Sequence, residues 1–256
     1  MLIPERQNRL RDLLGRRGMS DLDSLAAELN VSQSTVRRDV ESLVASGLVQ
    51  RTHGGVIWIG DRNTAARPYA FDQRMGFRIE AKRAVARAAK QLVQPGQTIL
   101  IDGGTTTFYF AEELAGLPLQ IVTNSLPIAN LFHNDDNVEL IVMGGLMYPR
   151  YGVLLGPLAE QQLATIHAKT LFISVAGIHE GSLYNQNLLL VQVEQAMMRQ
   201  VQDVVLLADA SKFAQQALSQ LCALKQVQTV VTDAAIPDSA RQQIREAGCR
   251  LIVAED

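Results

Sequence analysis

The chain has 256 residues, of which 47% are hydrophobic, so it is long enough to bury one large core or two of ordinary size. Residues 1–90 hold 16 of the 24 Lys and Arg but only 10 of the 26 Asp and Glu, which gives this part a net charge of +6 and the remainder −8. A basic end on a near-neutral chain is typical of a protein that binds a polyanion, although a chance imbalance of surface charge gives the same count.

The cysteines and the apolar segments exclude other classes. Cys222 and Cys249 have neither metal-ligand spacing nor the pattern of a disulfide framework, and we interpret both as small hydrophobic residues in a reducing compartment. Glu5, Arg6 and Arg9 stand where a signal peptide would need apolar residues, and the sequence has no apolar run long enough to span a membrane. We therefore expect a soluble cytoplasmic protein without a membrane partner.

The first sixty residues have the pattern of a winged helix-turn-helix. Apolar residues at helical spacing predict a helix from Pro4 to about Gly18, a second from Ser20 to Leu29, and a third that Ser32 caps and Gly47 ends. Residues 48–52 and 56–59 then predict two strands joined by a glycine turn. The alternative is a small helical dimerisation module with solvated arginines.

In this fold, the outward-facing start of the third helix reads DNA bases and holds phosphates, and the wing adds further contacts. The candidate DNA-binding residues on these two elements are Gln33, Ser34, Thr35, Arg37, Arg38, Arg51 and His53.

Two segments resemble the DNA-binding signature of the DeoR family of bacterial regulators of sugar metabolism. They are STVRRDV, from Ser34 to Val40, and GLVQRTHGGV, from Gly47 to Val56. The resemblance implies that the third helix is the recognition helix, with Arg37 and Arg38 on guanine edges or phosphates. Asp39 is expected to orient a guanidinium.

Residues 60–80 lose regular periodicity and predict an ordered linker. Its arginines, Arg62, Arg67, Arg74 and Arg78, either add phosphate contacts or pair with the acidic second domain, and the sequence leaves both open.

From residue 81 onwards, helical and strand-like runs alternate, which predicts a mostly parallel α/β sheet covered on both faces. The expected domains are therefore 1–59 for the winged helix-turn-helix, 60–80 for the linker and 81–256 for the α/β domain. We expect strands near residues 97–101, 119–123, 138–143, 170–176, 204–208, 229–232 and 250–253. The helices are expected near residues 84–92, 106–114, 125–132, 159–166, 190–201 and 238–247.

Ligands of such sheets bind beyond the carboxyl ends of the strands, where this chain has glycines, hydroxyls, amides and a lysine. Together these groups suit a phosphate or carboxylate, because glycines let the backbone approach an anion and a helix start directs N–H groups at it. The candidate effector-binding residues are Asp102, Gly103, Gly104, Thr105, Thr106, Thr107, Asn124, Ser125, Gly144, Gly145, Gly177 and Lys212.

The strand-end motifs resemble the effector domain of the same DeoR family, so that the resemblance covers essentially the whole chain. They are DGGTTT at residues 102–107, TNS at 123–125, GG at 144–145 and DASKF at 209–213. The resemblance implies a sensor domain related to sugar-phosphate isomerases. Two positions depart from many relatives: Ala176 replaces an acid, and Glu194 replaces a lysine. Glu194 is either beside the pocket or a solvated helix residue; Tyr184, Asn185 and Asn187 are either partners of sugar hydroxyls or loop surface.

These patterns favour a transcription regulator over two alternatives. We expect a homo-oligomer that represses a carbohydrate operon from double-stranded operator DNA until a phosphorylated, sugar-like effector releases it. One alternative is an isomerase-like enzyme with a DNA-binding head, for which Asp102, Asp209 and Lys212 are candidates but no further acid or His stands at a clear strand end near them. The other is a constitutive DNA binder with a degenerate pocket. We expect no catalytic residue, metal or cofactor.

Overall fold

The computed structural model of the chain describes residues 3–17, 19–45, 48–52, 55–58 and 71–255. The fold divides into two compact units, residues 1–69 and 70–256. The first is a winged helix-turn-helix and the second an α/β domain.

Three helices and a small antiparallel sheet form the described part of the first unit. Its elements are α1 (Ile3–Arg17), β1 (Met19–Ser20), α2 (Leu22–Leu29), α3 (Gln33–Ala45), β2 (Val49–Thr52) and β3 (Gly55–Trp58). The three helices pack through residues spaced three or four apart, such as Leu25 with Leu29 and Val36 with Val40. The predicted order of helix, helix-turn-helix and hairpin is therefore confirmed.

The turn between α2 and α3 follows from the local sequence. Asp21 caps α2 by accepting a hydrogen bond from the Ser24 N–H at 2.7 Å. Asn30 ends α2 with a left-handed φ of 52°, which asparagine tolerates better than most residues. Ser32 Oγ then accepts from the Thr35 N–H at 3.3 Å, so the predicted cap of α3 is present.

The sequence did not predict β1, which pairs with β3 through Met19 with Ile57 and Ser20 with Val56. A two-residue strand is too short to show an alternating pattern. Glycine is required opposite it, since a Cβ on Gly55 would lie 2.5 Å from the Ser20 carbonyl oxygen.

The second unit is built on a seven-stranded sheet in which all neighbours are parallel. Its strands in spatial order are β15 (Arg250–Val253), β14 (Thr229–Thr232), β12 (Val201–Leu207), β9 (Ala168–Ile173), β4 (Thr98–Ile101), β5 (Leu119–Thr123) and β6 (Val138–Val142). The predicted mostly parallel α/β sheet is thus confirmed.

Helices cover both faces of the sheet. One face carries α5 (Ile79–Lys90), α6 (Thr105–Glu113) and α7 (Leu126–Phe132), and the other carries α8 (Pro157–Leu163), α9 (Leu188–Met198) and α10 (Asp238–Glu246). Successive strand residues alternate between the two cores: Ile99 and Ile101 face α5 and α6, and Leu100 faces the opposite core.

Five short strands outside the main sheet were not predicted. They are the hairpin of β7 (Leu146–Tyr148) and β8 (Val153–Leu155), and the antiparallel sheet of β10 (Gly177–His179), β11 (Ser182–Asn185) and β13 (Ser219–Ala223). Each has three to five residues, which is too few for a periodic signal.

The expected linker differs from the described structure. Residues 71–80 belong to the second unit, where they form helix α4 (Phe71–Met75) and the start of α5. Helix α5 begins five residues before the predicted position, because charged residues interrupt its first turn and leave no helical apolar repeat there. Residues 60–70, with Arg62 and Arg67, lie outside the described residues.

The order of the strands creates a topological switch point in the main sheet. The chain runs outward from β4 through β5 to β6, then returns to β9 on the other side of β4 and continues outward to β15. The junction between β4 and β9 is therefore a topological switch point, beyond which parallel sheets bind ligands. None of the described helices is long and apolar enough to cross a membrane.

Candidate functional site

The start of α3 presents polar side chains to solvent. Gln33, Ser34, Arg37 and Arg38 are exposed, and Thr35 is half-buried. Val36 and Val40 are buried on the opposite face, which holds the helix with its arginines outward. This arrangement suits a helix that enters the major groove of DNA.

Two of these candidates are held in place by side-chain contacts. Gln33 Nε2 donates to Asp23 Oδ1 at 2.7 Å, which ties the start of α3 to α2. Arg51 on the wing lies 3.3 Å from Glu41 on α3 in an exposed ion pair that salt can open. His53 lies outside the described residues.

Asp39 binds the guanidinium of Arg6 on α1. Its carboxylate is only 3% exposed and accepts from Arg6 Nε at 2.5 Å and Arg6 Nη2 at 3.2 Å. The acid of the Arg-Arg-Asp triplet therefore fastens α3 to α1. Arg37 and Arg38 remain on the exposed face.

The second candidate site lies where β4, β5, β9 and β12 end. Asp102 follows β4, Asn124 follows β5, Ser174 follows β9, and Asp209 follows β12. Because these strands are parallel, all four residues lie along the same edge of the sheet. The predicted residues Asp102, Asn124 and Lys212 are thus on neighbouring loops.

Buried polar atoms without a hydrogen-bond partner concentrate at this edge. Buried polar groups are normally paired, so this edge can offer hydrogen bonds to a ligand or to water. Within the described residues these atoms are Arg74 Nε and Nη2, Asp102 Oδ1, Asn124 Oδ1, Arg150 Nε, Glu194 Oε2 and Thr232 Oγ1.

A chain of hydrogen bonds links two carboxyl groups to the loop after β9. The Ser174 N–H donates to Asp102 Oδ2 at 3.4 Å. The Ala176 N–H donates to Asn185 Oδ1 at 2.8 Å, and Asn185 Nδ2 donates to Glu194 Oε1 at 2.6 Å. Glu194 is therefore buried and is not a solvated helix residue.

Burial is the main cause of the raised pKa values of Asp102 and Glu194. It raises the pKa of Asp102 to about 6, against the opposing influence of the Ser174 and Gly103 N–H groups and of Arg74. Burial and the charge of Asp102 raise the pKa of Glu194 well above its usual range. Near pH 7 the pair therefore carries less negative charge than two free carboxylates.

Helix α4 brings an unexpected guanidinium to the same edge. Arg74 Cζ lies 4.3 Å from the centre of the Tyr151 ring, and burial lowers the pKa of Arg74. The helix is held by Lys82, whose Nζ donates to the Arg74 carbonyl at 2.5 Å, and by Tyr109, whose hydroxyl donates to the Met75 carbonyl at 3.2 Å.

Two lysines add positive charge near Arg74. Burial lowers the pKa of Lys82 to about 8, and it also lowers the pKa of Lys212. Both pKa values are lowered further by the charge of Arg74, and Asp209 opposes the change in both. A bound anion would relieve this repulsion.

Arg78 resolves one alternative left open by the sequence. Its Nε lies 3.1 Å from Asp209 Oδ1, and its Nη2 lies 3.7 Å from Asp233 Oδ2. This arginine therefore pairs with acids of the second domain.

The loop from Asp102 to Thr107 combines packing with an anion-binding geometry. A Cβ on Gly104 would lie 1.7 Å from Ser174 Oγ, and one on Gly103 would lie 2.1 Å from Val153 Cγ1. Gly104 caps α6 without a side chain that could accept from the N–H groups of the first turn. Thr105 and Thr106 are buried in that turn.

Several predicted residues have their described contacts inside the protein. Thr107 Oγ1 accepts from the Gly104 N–H at 2.8 Å, and Ser125 Oγ caps α7. The Gly144 N–H donates to Gln162 Oε1 at 2.7 Å. Gly145 lies against the backbone of Leu155. Gly177 packs against the Gln215 carbonyl. Gly144 and Gly145 follow β6, which is two strands from β4 in the sheet.

Arg74, Lys82 and Arg150 were missed as site residues, and Glu194 was left undecided. Arg74 lies in a five-residue helix without a periodic signal, and Lys82 lies on an apparently solvated first turn. Their charge was visible in the sequence, but the direction of each side chain depends on how α4 packs. A cluster of His, Cys, Asp or Glu that could hold a metal is absent from the described ranges.

Asn187 has a role as a helix cap. Its side chain accepts from the Leu190 N–H at 3.0 Å at the start of α9, the helix that carries Glu194. Asn187→Ala is expected to lower the free energy of unfolding by about 1 kcal/mol, and Asn187→Ser to retain most of it. Urea unfolding followed by circular dichroism checks this, and equal stability of Asn187→Ala and the wild type would contradict the capping role.

Each of the two units matches a known protein-family model. The family model described as the DeoR-like helix-turn-helix domain matches residues 6–61, and the DeoR C-terminal sensor domain matches residues 78–234.

Individual relatives agree with the family models. The chain is 32% identical to the L-fucose operon activator of Haemophilus influenzae, with 90% of this chain and 91% of the relative covered. It is 31% identical to the transcriptional repressor CsqR of Escherichia coli, over 98% and 95% of the two chains. The solved structure of ribose 5-phosphate isomerase A from Methanocaldococcus jannaschii aligns at a TM-score of 0.39 and 19% identity, over 53% of this chain and about half (54%) of the isomerase. The chain belongs to the DeoR family and is a DNA-binding transcription regulator.

Proposed function

We propose that the regulator senses a small phosphorylated sugar, which binds in the crevice at the carboxyl edge of the sheet and changes the affinity of the protein for operator DNA. The observation that carries this proposal is the buried guanidinium of Arg74, whose Nε and Nη2 have no partner among the described residues. A guanidinium offers two parallel donors to a phosphate, and burial strengthens such a bond.

The neighbours of Arg74 favour a phosphate over a neutral ligand. Lys82 and Lys212 have lowered pKa values in its vicinity, and α6 begins at Gly104 with N–H groups that no cap side chain satisfies. Positive side chains and a helix start together form a common anion site. The L-fucose operon activator, by its name, serves a sugar operon, which supports a sugar as the rest of the ligand.

The proposed regulation is repression with release by the effector. A homo-oligomer presents paired α3 helices to operator half-sites, and effector binding disfavours the spacing that fits them. The named relatives include both an activator and a repressor, so experiment decides whether this protein represses or activates transcription. We also propose a cytoplasmic location, since the operator is there.

The enzyme alternative gains one observation from the fold. Asp102 has a second acid beside it after all, because α9 brings Glu194 to the same loop. Two carboxyl groups with raised pKa values can act as acid and base on a sugar phosphate. We nevertheless favour a sensor without catalysis, because relatives that match over 90% or more of the chain are named as regulators. Conversion of ribose 5-phosphate, followed by NMR, would favour the enzyme.

The DNA-binding half is tested by fluorescence anisotropy with DNA from upstream of the protein's own gene, at fixed salt. Arg38→Ala is expected to weaken binding by about tenfold, since base or phosphate contacts of arginine contribute about 1–3 kcal/mol. Lys225→Ala, an exposed lysine of the sensor domain, is the control and should bind as the wild type does.

The sensing half uses the same titration with a panel of sugar phosphates and with Lys212→Ala. One sugar phosphate is expected to shift the DNA affinity at least fivefold, and Lys212→Ala to abolish the shift without changing DNA binding in the absence of effector. DNA binding that no sugar phosphate alters would instead indicate a degenerate pocket.

A further inference from the structure

Two carboxyl groups in the proposed effector site are buried, and in each of them only one of the two oxygens accepts a hydrogen bond from a described residue. Asp102 is 2% exposed and Glu194 is 1% exposed. In each, one oxygen is held by the protein: Asp102 Oδ2 by the Ser174 N–H and Glu194 Oε1 by Asn185 Nδ2. The other oxygen, Asp102 Oδ1 or Glu194 Oε2, has no partner among the described residues.

Both carboxyl groups are anchored to one short segment, which places them close together. Ser174 holds Asp102 directly, and Ala176, two residues later, holds Glu194 through Asn185. This proximity affects their protonation, because the charge of Asp102 raises the pKa of Glu194.

A third unsatisfied acceptor lies beside them. Ile101 and Thr123 are partners on the adjacent strands β4 and β5, so the residues that follow them, Asp102 and Asn124, are neighbours. Asn124 Nδ2 donates to the Leu154 carbonyl at 3.2 Å, which leaves its Oδ1 buried without a donor. When both carboxyl groups are ionised, the site therefore presents three acceptors that need donors.

The chemistry of the missing donor follows from this set. A sugar hydroxyl supplies one donor and no charge, whereas a primary ammonium supplies three donors and a positive charge. Only a cation lets two adjacent buried carboxyl groups both ionise without strong repulsion. In the described part of the chain, these residues do not belong to a cluster suited to a metal ion.

We propose that the effector is a phosphorylated amino sugar, and that Asp102 and Glu194 are the specificity-determining residues that bind its ammonium group. The inference rests on the proposed function, in which Arg74 and Lys212 bind the phosphate. A ligand that carries both a phosphate and an ammonium group matches a site that contains both cationic side chains and carboxyl groups.

Protonation gives the binding a characteristic pH dependence. Asp102 faces Arg74 and Glu194, and Glu194 also influences the pKa of Tyr151 and of Cys222 on β13. Burial raises the pKa of Asp102 to about 6. Burial and the charge of Asp102 raise the pKa of Glu194 well above its usual range. Binding of an ammonium group favours both carboxylates and so releases protons, and its affinity should fall as the pH drops through 6.

Isothermal titration calorimetry of the full-length protein tests the proposal with matched ligand pairs that differ only at carbon 2. The pairs are glucosamine, galactosamine and mannosamine 6-phosphates against glucose, galactose and mannose 6-phosphates. For at least one pair, the amino sugar is expected to bind tenfold or more tightly than its hydroxyl counterpart. For that pair, Glu194→Gln should reduce the ratio to within twofold, while Glu246→Gln, at an exposed glutamate of α10, should leave it unchanged.

Affinity ratios near or below one in every pair would overturn the proposal, as would an amino sugar preference that Glu194→Gln leaves intact. If Glu194→Gln does not fold by circular dichroism, Asp102→Asn serves as the second variant with the same expected loss. Tight binding of a hydroxyl sugar phosphate alone would refute the amino sugar while leaving the proposed sensing function in place. Failure of every amino sugar to bind also refutes it, and the DNA titration then decides separately whether any phosphate is sensed.

Discussion

Replacing Gly177 by alanine is expected to lower the free energy of unfolding of the sensor domain by about 3 kcal/mol, because its new Cβ would overlap backbone atoms. That Cβ would lie 2.2 Å from the Gln215 carbonyl oxygen and 2.6 Å from its carbon. Backbone cannot move aside as the end of a flexible side chain can. The adjacent pairing of Ile178 with Phe213 opposes separation of the two segments.

The same substitution should weaken effector binding. Gln215 is joined to Lys212 by an N–H to carbonyl hydrogen bond at 3.4 Å, so that displacement of Gln215 moves the loop that carries Lys212. Stability is measured by urea unfolding with circular dichroism, because the single tryptophan, Trp58, belongs to the other unit. The effector response is measured by the DNA titration.

Gly248→Ala is the matched control. Gly248 has a left-handed φ of 77° and no atom within 4 Å of a new Cβ, so alanine there is expected to lower the free energy of unfolding by only about 1 kcal/mol. If both alanine variants lose the same stability, overlap with Gln215 is not the cause of the effect at Gly177.

The arrangement of the long elements could be predicted from the sequence because their periodicity is strong. The strand around Leu100 is a continuous apolar run, as expected of a strand buried on both faces. Helix α3 has Val36, Val40 and Leu43 on one face, which fixes the direction of Arg37 and Arg38. Such repeats are local properties that do not require knowledge of the fold.

The candidate site could be predicted only in part. Strand ends locate Asp102, Asn124 and Lys212, because every parallel strand ends at the same edge. Sequence does not reveal that α4 packs its Arg74 against Tyr151, or that α9 places Glu194 beside Asp102, since both depend on contacts between distant segments.

Gly103 and Gly104 show a second limit of predicting the site from the sequence. The motif suggests that Gly103 and Gly104 let a ligand approach the backbone, but their Cα atoms already face Val153 and Ser174. A glycine needed for close packing looks the same in sequence as one needed for a ligand. The roles of these glycines in effector binding therefore stay a prediction.

Arg74→Met is expected to abolish phosphate binding while leaving the protein as stable as before. The guanidinium is buried, and its Nε and Nη2 have no partner in the described structure, so in the absence of ligand their desolvation is uncompensated. The lost contact with the Tyr151 ring contributes about 1 kcal/mol in the opposite direction. We expect the free energy of unfolding without ligand to change by no more than about 1 kcal/mol.

The effect on ligand binding should be much larger. Inorganic phosphate is expected to raise the melting temperature of the wild type but not of Arg74→Met, and the dissociation constant of the effector found in the DNA titration should rise at least thirtyfold. Arg74→Lys retains a positive charge without the paired donors, and should bind phosphate with intermediate affinity. Arg87→Met, at an exposed arginine of α5, is the control.

The two measurements together separate a binding role from a structural one. An arginine that only supports the fold would, when replaced, lower the stability of the ligand-free protein and leave the remaining phosphate response intact. An arginine kept for the ligand shows the opposite pattern, because its buried donors are satisfied only when phosphate is bound. A stability loss of several kcal/mol with an unchanged response would therefore assign Arg74 to the fold, and the phosphate would have to be held by Lys212 and the start of α6 alone.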